Sequence, residues 1–123
     1  MNSTQLTTHF SRDEFKCKCG NCDNDGVDIE LLEVMERVRF HFQNAVRIHC
    51  GNRCLEHNRK LGSKDTSQHT KSKACDFNVD NIQHIEVFQY VNSILEHGAV
   101  GIYDWGIHVD VRQGNKKNWD NRS

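Results

Sequence analysis

Two stretches with helical spacing, interleaved with short β-prone runs, predict an α+β domain: a small, mostly antiparallel sheet packed with two or three helices. Leu31, Met35, Val38 and Phe42 recur at intervals of three and four, and Ile85, Phe88, Val91, Ile94 and Leu95 follow the same kind of spacing. By contrast, Ile107-His108-Val109-Asp110-Val111 alternates apolar with ionisable residues, the period of a half-buried strand.

In chain order, residues 1–28 are polar with Phe10 and Phe15 as the only large apolar anchors, which reads as a loop-rich arm with a helical turn at Ser11 to Phe15. Asp28 is a suitable N-cap for the amphipathic helix from Ile29 to Phe42. Val46 to His49 is a β-prone run bounded by Asn44 and Gly51, and Arg53 to Leu61 reads as a short helix stopped by Gly62. A polar loop from Gly62 to Lys73 precedes a strand at Ala74 to Val79. The second long helix ends at His97-Gly98. Strands Ala99 to Tyr103 and Gly106 to Arg112 follow, joined tightly at Asp104-Trp105. The tail, 113–123, is polar and expected to fray.

With 123 residues the chain suffices for one domain, 1–123, and not for two. Its 16 Lys+Arg against 17 Asp+Glu give no bulk electrostatic reason to bind nucleic acid or an anionic membrane. No apolar run approaches the roughly 20 residues that span a bilayer, and Met1 to Thr8 lacks a signal-peptide pattern, so synthesis in the cytoplasm without membrane insertion is expected. The presence of 8 His and 6 Cys without Pro directs attention to metal sites.

The chemistry concentrates where the polar loop meets the following strand. His69 precedes Asp76 by seven positions, and Asp76 lies between apolar residues in the strand. His108 and Asp110 share one face of a later strand. If the two strands are neighbours, His69, Asp76 and His108 converge into a two-histidine, one-carboxylate set, a known catalytic zinc arrangement that leaves one position open for water.

Ser67-x-His69-x6-Asp76 together with Ile107-His108-Val109-Asp110 resembles the zinc D-alanyl-D-alanine carboxypeptidase and L-alanyl-D-glutamate endopeptidase family of peptidoglycan-cleaving enzymes, which includes many bacteriophage endolysins. The likeness extends over most of the chain. Phe10-Ser11-x-x-Glu14-Phe15-x-Cys17-x-Cys19-Gly20 resembles the family's N-terminal arm, Gly51-Asn52-Arg53-Cys54-x-x-His57-Asn58 its Gly-Tyr-Arg segment, and Gly101-Ile102-Tyr103 and His108-Val109-Asp110-Val111-Arg112 its last two strands.

The resemblance implies the fold shared with the hedgehog signalling domain, Zn²⁺ held by His69, Asp76 and His108, and a peptidoglycan stem peptide as substrate. It implies action on the bacterial cell wall after release, or from a phage particle beside other virion proteins. Arg53 matches the arginine that engages a substrate carboxylate or carbonyl; Ser67 matches a serine that either binds substrate or orders the loop. Tyr103 is open to an oxyanion role or a place in the rim. Some members carry an acidic base three positions before the last histidine. Here that position is Trp105, leaving Asp104, four before, and Asp110 as the alternatives.

Other departures are Ser72 where glycine is usual between the first two ligands, Gly62-Ser63 for a Gly-Gly pair, and Cys50 and Asn52 for Ser and Tyr around Gly51. A serine required at positive φ costs on the order of 1 kcal/mol. Cys75, beside Asp76 on a strand, is expected in the core. Cys17, Cys19 and Cys22 are open to a second zinc with a fourth ligand from elsewhere, to reduced thiols, or to a partial disulfide.

Overall fold

The structure, a computed structural model, describes residues 5–123; the first part of the expected arm, 1–4, lies outside the described residues. The arm contains one helical turn, α1 (Arg12–Phe15), whose start is fixed by Glu14 accepting from the Ser11 backbone N–H at 2.9 Å. Phe10 and Phe15 are both buried, their rings 6.0 Å apart, and fasten the arm to the core. Helix α2 (Ile29–Phe42) starts where Asp28 accepts from the Glu30 N–H at 2.8 Å, and it ends at Gln43 in the left-handed region.

Strands β1 (Val46–Cys50), β2 (Ala74–Val79), β3 (Ala99–Tyr103), β4 (Gly106–Asp110) and β5 (Lys117–Asp120) form one sheet in the order β1-β2-β4-β3-β5. All neighbours are antiparallel except β3 and β5, which run parallel. The β3–β4 connection is the two-residue hairpin turn expected at Asp104-Trp105, with Tyr103 paired to Gly106. Helix α4 (His84–Ile94) packs on β3 and β4, and α2 packs on β2 and α4. The α+β class with a mostly antiparallel sheet is therefore observed, its helices being two long ones and the short α1 and α3 (Leu55–Lys60).

Register assigns the two faces. Phe77, Ile107 and Ile102 form one row, and Cys75, Val109 and Val100 another; all six are fully buried in the core with Met35, Val38, Val87 and Val91. Cys75 is thus a core residue, as expected. The intervening row runs across all five strands on the opposite face: Cys50, Asp76, His108, Gly101, Trp119.

Four expectations are corrected. Helix α4 stops at Ile94, because Leu95 is already extended at ψ 130°, rather than running on to His97-Gly98. The tail from Gln113 onward does not fray: residues 117–120 add β5 to the edge of β3, and Trp119 is half-buried. Its indole lies over Gly101, where a Cβ would stand 2.1 Å from Trp119 Nε1, so glycine is what lets the tail close on the sheet. The short helix begins at Leu55, not Arg53, because Cys54 is its extended N-cap and the Arg53 N–H bonds to the His69 carbonyl at 3.0 Å. Strand β4 stops at Asp110, where Arg112 turns back onto the Asp110 carboxylate.

Gly101→Ala is expected to unseat Trp119 and lower stability by about 1–3 kcal/mol, the usual cost of overpacking. Urea unfolding followed by tryptophan fluorescence measures it; an unchanged midpoint would show that β5 is dispensable.

Candidate active site

Asp76 and His108 are direct partners across the β2–β4 ladder, so their side chains rise side by side from the same face. His108 Nδ1 lies 2.9 Å from Asp76 Oδ1, and His108 Nε2 lies 2.8 Å from Asp110 Oδ2. His69 comes from the polar loop, which contains a 3₁₀ helix, residues 68–71. Ser67 caps it, its Oγ accepting from the His69 N–H at 3.3 Å, and the buried His69 directs Nε2 to Asp76 Oδ2 at 3.3 Å and Nδ1 to the Gly51 carbonyl at 2.8 Å. The structure therefore brings the three expected ligands together.

The protonation of this cluster follows from counting donors and acceptors. All four ring nitrogens face oxygen acceptors: the Gly51 carbonyl, both oxygens of Asp76, and Asp110. A neutral imidazole carries a single N–H, so satisfying all four contacts takes two further protons, shared between the imidazoles and Asp76. Burial opposes charge on His69, but hydrogen bonds to Asp76 and Cys50 outweigh it and push its pKa up to about 10. Burial likewise opposes the His108 cation, and Asp110 and Asp76 raise its pKa nonetheless. Burial would raise Asp76, yet the bonds from His108 and His69 hold it below the usual carboxylate range. Burial also disfavours the Asp110 anion, while Arg112 and His108 bring its pKa down to about 2.

This donor set fits a divalent cation. Exchanging the two protons between the imidazoles and Asp76 for one dication conserves charge and leaves His69 Nδ1–H on Gly51 and His108 Nε2–H on Asp110. That is the outer hydrogen-bonding pattern that fixes tautomer and ring orientation in histidine metal ligands. Cys50, His69 and Asp76 also offer donor atoms within 4.8 Å of one another. Cys50 Sγ, however, lies on the Nδ1 side of His69, 3.6 Å away, where the Gly51 carbonyl is nearer.

Around the cluster is an open cleft of about 370 Å³. Arg53, 11% exposed, reaches to 3.9 Å from Asp76 Oδ2 while donating to Asn58 Oδ1 at 3.0 Å and Ser63 Oγ at 3.2 Å. Its buried Nε has no hydrogen-bond partner among the described residues. Ser67 both lines the cleft and orders the loop. Tyr103 stacks on Trp105 at 4.8 Å and accepts from Trp119 Nε1 at 2.9 Å, and the Trp119 ring lies 5.4 Å from that of His108. These three aromatic rings form one wall of the cleft.

The two expected bases are placed differently. Asp110 is fully buried, with Oδ1 accepting from the Arg112 N–H and Nε and Oδ2 from Arg112 Nη2 and His108. Asp104 sits on the exposed β3–β4 turn, its carboxylate accepting from Ser123, and does not line the cleft. Sequence reasoning missed Trp119, although a tryptophan in an otherwise polar tail was a visible signal. It also missed the orienting pair Asp110–Arg112, which the spacing Asp-x-Arg after a strand allows but does not single out.

The charge arrangement gives a pH dependence. Asp76 and Asp110 have depressed pKa values, so their contribution is complete above the unfolded value of about 3.9 and lost as pH falls towards about 2. His69 is raised, so its contribution is complete below about 6.5 and lost as pH rises through about 10. Chelator-treated protein is thus expected to be most stable between about pH 4 and 6.5 and to weaken from pH 7 to 10. Added zinc, which competes with the site's protons, should stabilise increasingly over that same range. Urea midpoints with EDTA and with zinc check this; parallel profiles would refute the shared-proton account.

The family model described as Peptidase M15 matches residues 8–111, from the arm through the last ligand strand. No curated protein matched the sequence. No helix among the described residues is long and apolar enough to cross a membrane. With a match over most of its length, the chain belongs to the peptidase M15 family.

Proposed function

We propose that this peptidase is a zinc enzyme that hydrolyses a peptide bond in the stem peptide of peptidoglycan, of D-alanyl-D-alanine carboxypeptidase or L-alanyl-D-glutamate endopeptidase type, serving as a phage endolysin or virion-associated lysin. The observation that carries the metal reading is the convergence of His69 Nε2 and His108 Nδ1 on the two oxygens of Asp76, at 3.3 and 2.9 Å, with the opposite ring nitrogens held by the Gly51 carbonyl and Asp110. Zinc held by these three residues would polarise the scissile carbonyl and acidify water to a pKa of about 7.

The remaining roles belong to this chain's own side chains. Arg53 lines the cleft with Nη1 pinned by Asn58 and Ser63 and Nη2 3.9 Å from Asp76, which suits its guanidinium to receive a substrate carboxylate or carbonyl. Tyr103, with Trp105 and Trp119, supplies an amphipathic wall for the peptide, and the Tyr103 hydroxyl is directed by the indole N–H that it accepts. Ser67 presents the loop that carries His69. Asp110 spends both oxygens on His108 and Arg112, so it acts as a positioning residue. Asp104, exposed at the turn beside Tyr103 and Trp105, is assigned the proton transfer from the attacking water to the leaving amine, after its carboxylate leaves Ser123.

One observation favours a second reading, a zinc-binding protein of the same fold without turnover: among the described residues, Asp76 is the only carboxylate lining the cleft. Digestion of purified peptidoglycan, with EDTA and after zinc restoration, separates the two. Zinc-dependent release of fragments is expected, and mass spectrometry of the products names the bond. No release from several wall types by zinc-loaded protein would select the non-catalytic reading.

The two aspartates are expected to fail differently. Asp110→Asn should weaken zinc binding by about 10–100-fold, the usual cost of removing a histidine ligand's outer partner. Asp104→Asn should leave zinc binding unchanged, lower kcat by about 10²–10⁴-fold, and remove the acidic limb of the kcat/KM profile. Competition with a chromophoric chelator and pH–rate profiles read both; the opposite pattern would make Asp110 the base.

A further inference from the structure

The fold brings Cys17, Cys19 and Cys22 of the arm together with Cys54, the N-cap of α3, which lies far from them in sequence. The four sulfurs are all within 4.8 Å of one another. Zn–S bonds of about 2.3 Å arranged tetrahedrally place sulfurs roughly 3.8 Å apart, so the cluster is already near the size of a four-thiolate site. Cys19 and Cys22 are 3.4 Å apart as free thiols. They frame Cys19-Gly20-Asn21-Cys22, a Cys-x2-Cys turn in which Gly20 adopts φ +79°.

Backbone geometry prepares the sulfurs as anions. The Asn21 N–H points to Cys19 Sγ at 3.3 Å, the Cys54 N–H to Cys17 Sγ at 3.3 Å, and the His57 N–H to Cys54 Sγ at 3.4 Å. Donors aimed at sulfur favour the thiolate, the form that binds metal. Zinc with four thiolates carries a net charge of −2, and Lys18 and Lys60 line the same recess. Tetrahedral sulfur sites of this kind select zinc or iron over harder cations.

We propose that Cys17, Cys19, Cys22 and Cys54 form a second, structural zinc site that staples the N-terminal arm to the start of α3. Its position gives it leverage on the cleft. Cys54 directly follows Arg53, which faces Asp76, and lies three residues after Gly51, whose carbonyl orients His69. The arm has little regular structure, so a metal staple supplies order that its two phenylalanines supply only in part. This site does not depend on the peptidase reading, because its ligands are separate from His69, Asp76 and His108.

The test uses the full chain carrying His69→Ala and His108→Ala, purified under reducing conditions with zinc and then desalted. One zinc per chain by elemental analysis and native mass spectrometry is expected, against two in the unsubstituted chain. Cobalt substitution of this variant should give the intense near-ultraviolet thiolate-to-metal absorption of a four-sulfur site. Adding Cys54→Ser should abolish that band and the remaining zinc. Because this variant can also fail to fold, a mercurial thiol reagent is titrated into the His69→Ala, His108→Ala chain, and the zinc must leave as thiols are blocked. A variant that retains no zinc while its thiols react freely, or one whose intact mass shows the sulfurs paired as disulfides, would overturn the proposal.

Discussion

The pairing of Asp76 with His108 across β2 and β4 is the constraint from which the site is built. Side-chain direction in a strand has period two, so a one-residue slip of either strand would send one partner into the core and open the site. The register is held from the other face: Phe77, Ile107 and Ile102 on one side of the pair, and Cys75, Val109 and Val100 on the other, are all fully buried. Hydrophobic burial beneath the sheet thereby fixes the alignment of polar groups above it. The polar row is extended in both directions by the same ladders, to Cys50 on β1 and through Gly101 to Trp119 on β5.

His69 is not on the sheet, and its placement rests on a chain of backbone contacts. Ser67 starts the 3₁₀ helix, the Arg53 N–H takes the His69 carbonyl, and the Gly51 carbonyl receives His69 Nδ1. Gly51 in turn lies against the arm, where a Cβ would come within 2.7 Å of Phe15 Cα, and the Asn52 N–H bonds the Phe15 carbonyl at 2.7 Å. The arm therefore backs the segment that orients His69, and its two buried phenylalanines serve the site as well as the core.

The long helices and the strands were legible because each has a strong period: Asp28 marks the start of α2, and α4 keeps its spacing to Ile94, short of the expected stop at His97-Gly98. The convergence of His69, Asp76 and His108 was legible from Ser67-x-His69-x6-Asp76 and the alternation around His108. The tail was misread because Lys117, Asn118 and Asp120 are polar, as an edge strand with exposed side chains should be; only Gly101 on its partner strand, absent as a signal until the register is known, makes room for Trp119. The start of α3 was misplaced by two residues, at Arg53 rather than Leu55, for a similar reason. Helix propensity said nothing of the tertiary hydrogen bond from the Arg53 N–H to the His69 carbonyl.

Two departures from the family pattern turn out to be each other's partners. Ser72 occupies the left-handed region, φ 62°, where glycine would be free of strain, at a cost of about 1 kcal/mol. Asn52 donates to Ser72 Oγ at 2.5 Å and to the Gly26 carbonyl at 3.2 Å. A hydrogen bond of this kind contributes about 0.5–1.5 kcal/mol, enough to offset the strain, and it ties the end of the His69 loop to the arm. The Ser72 carbonyl also accepts from the Asp28 N–H at the head of α2, so the two substitutions join loop, arm and helix at one point. In this chain, the side chain that strains the backbone is also the one that anchors it.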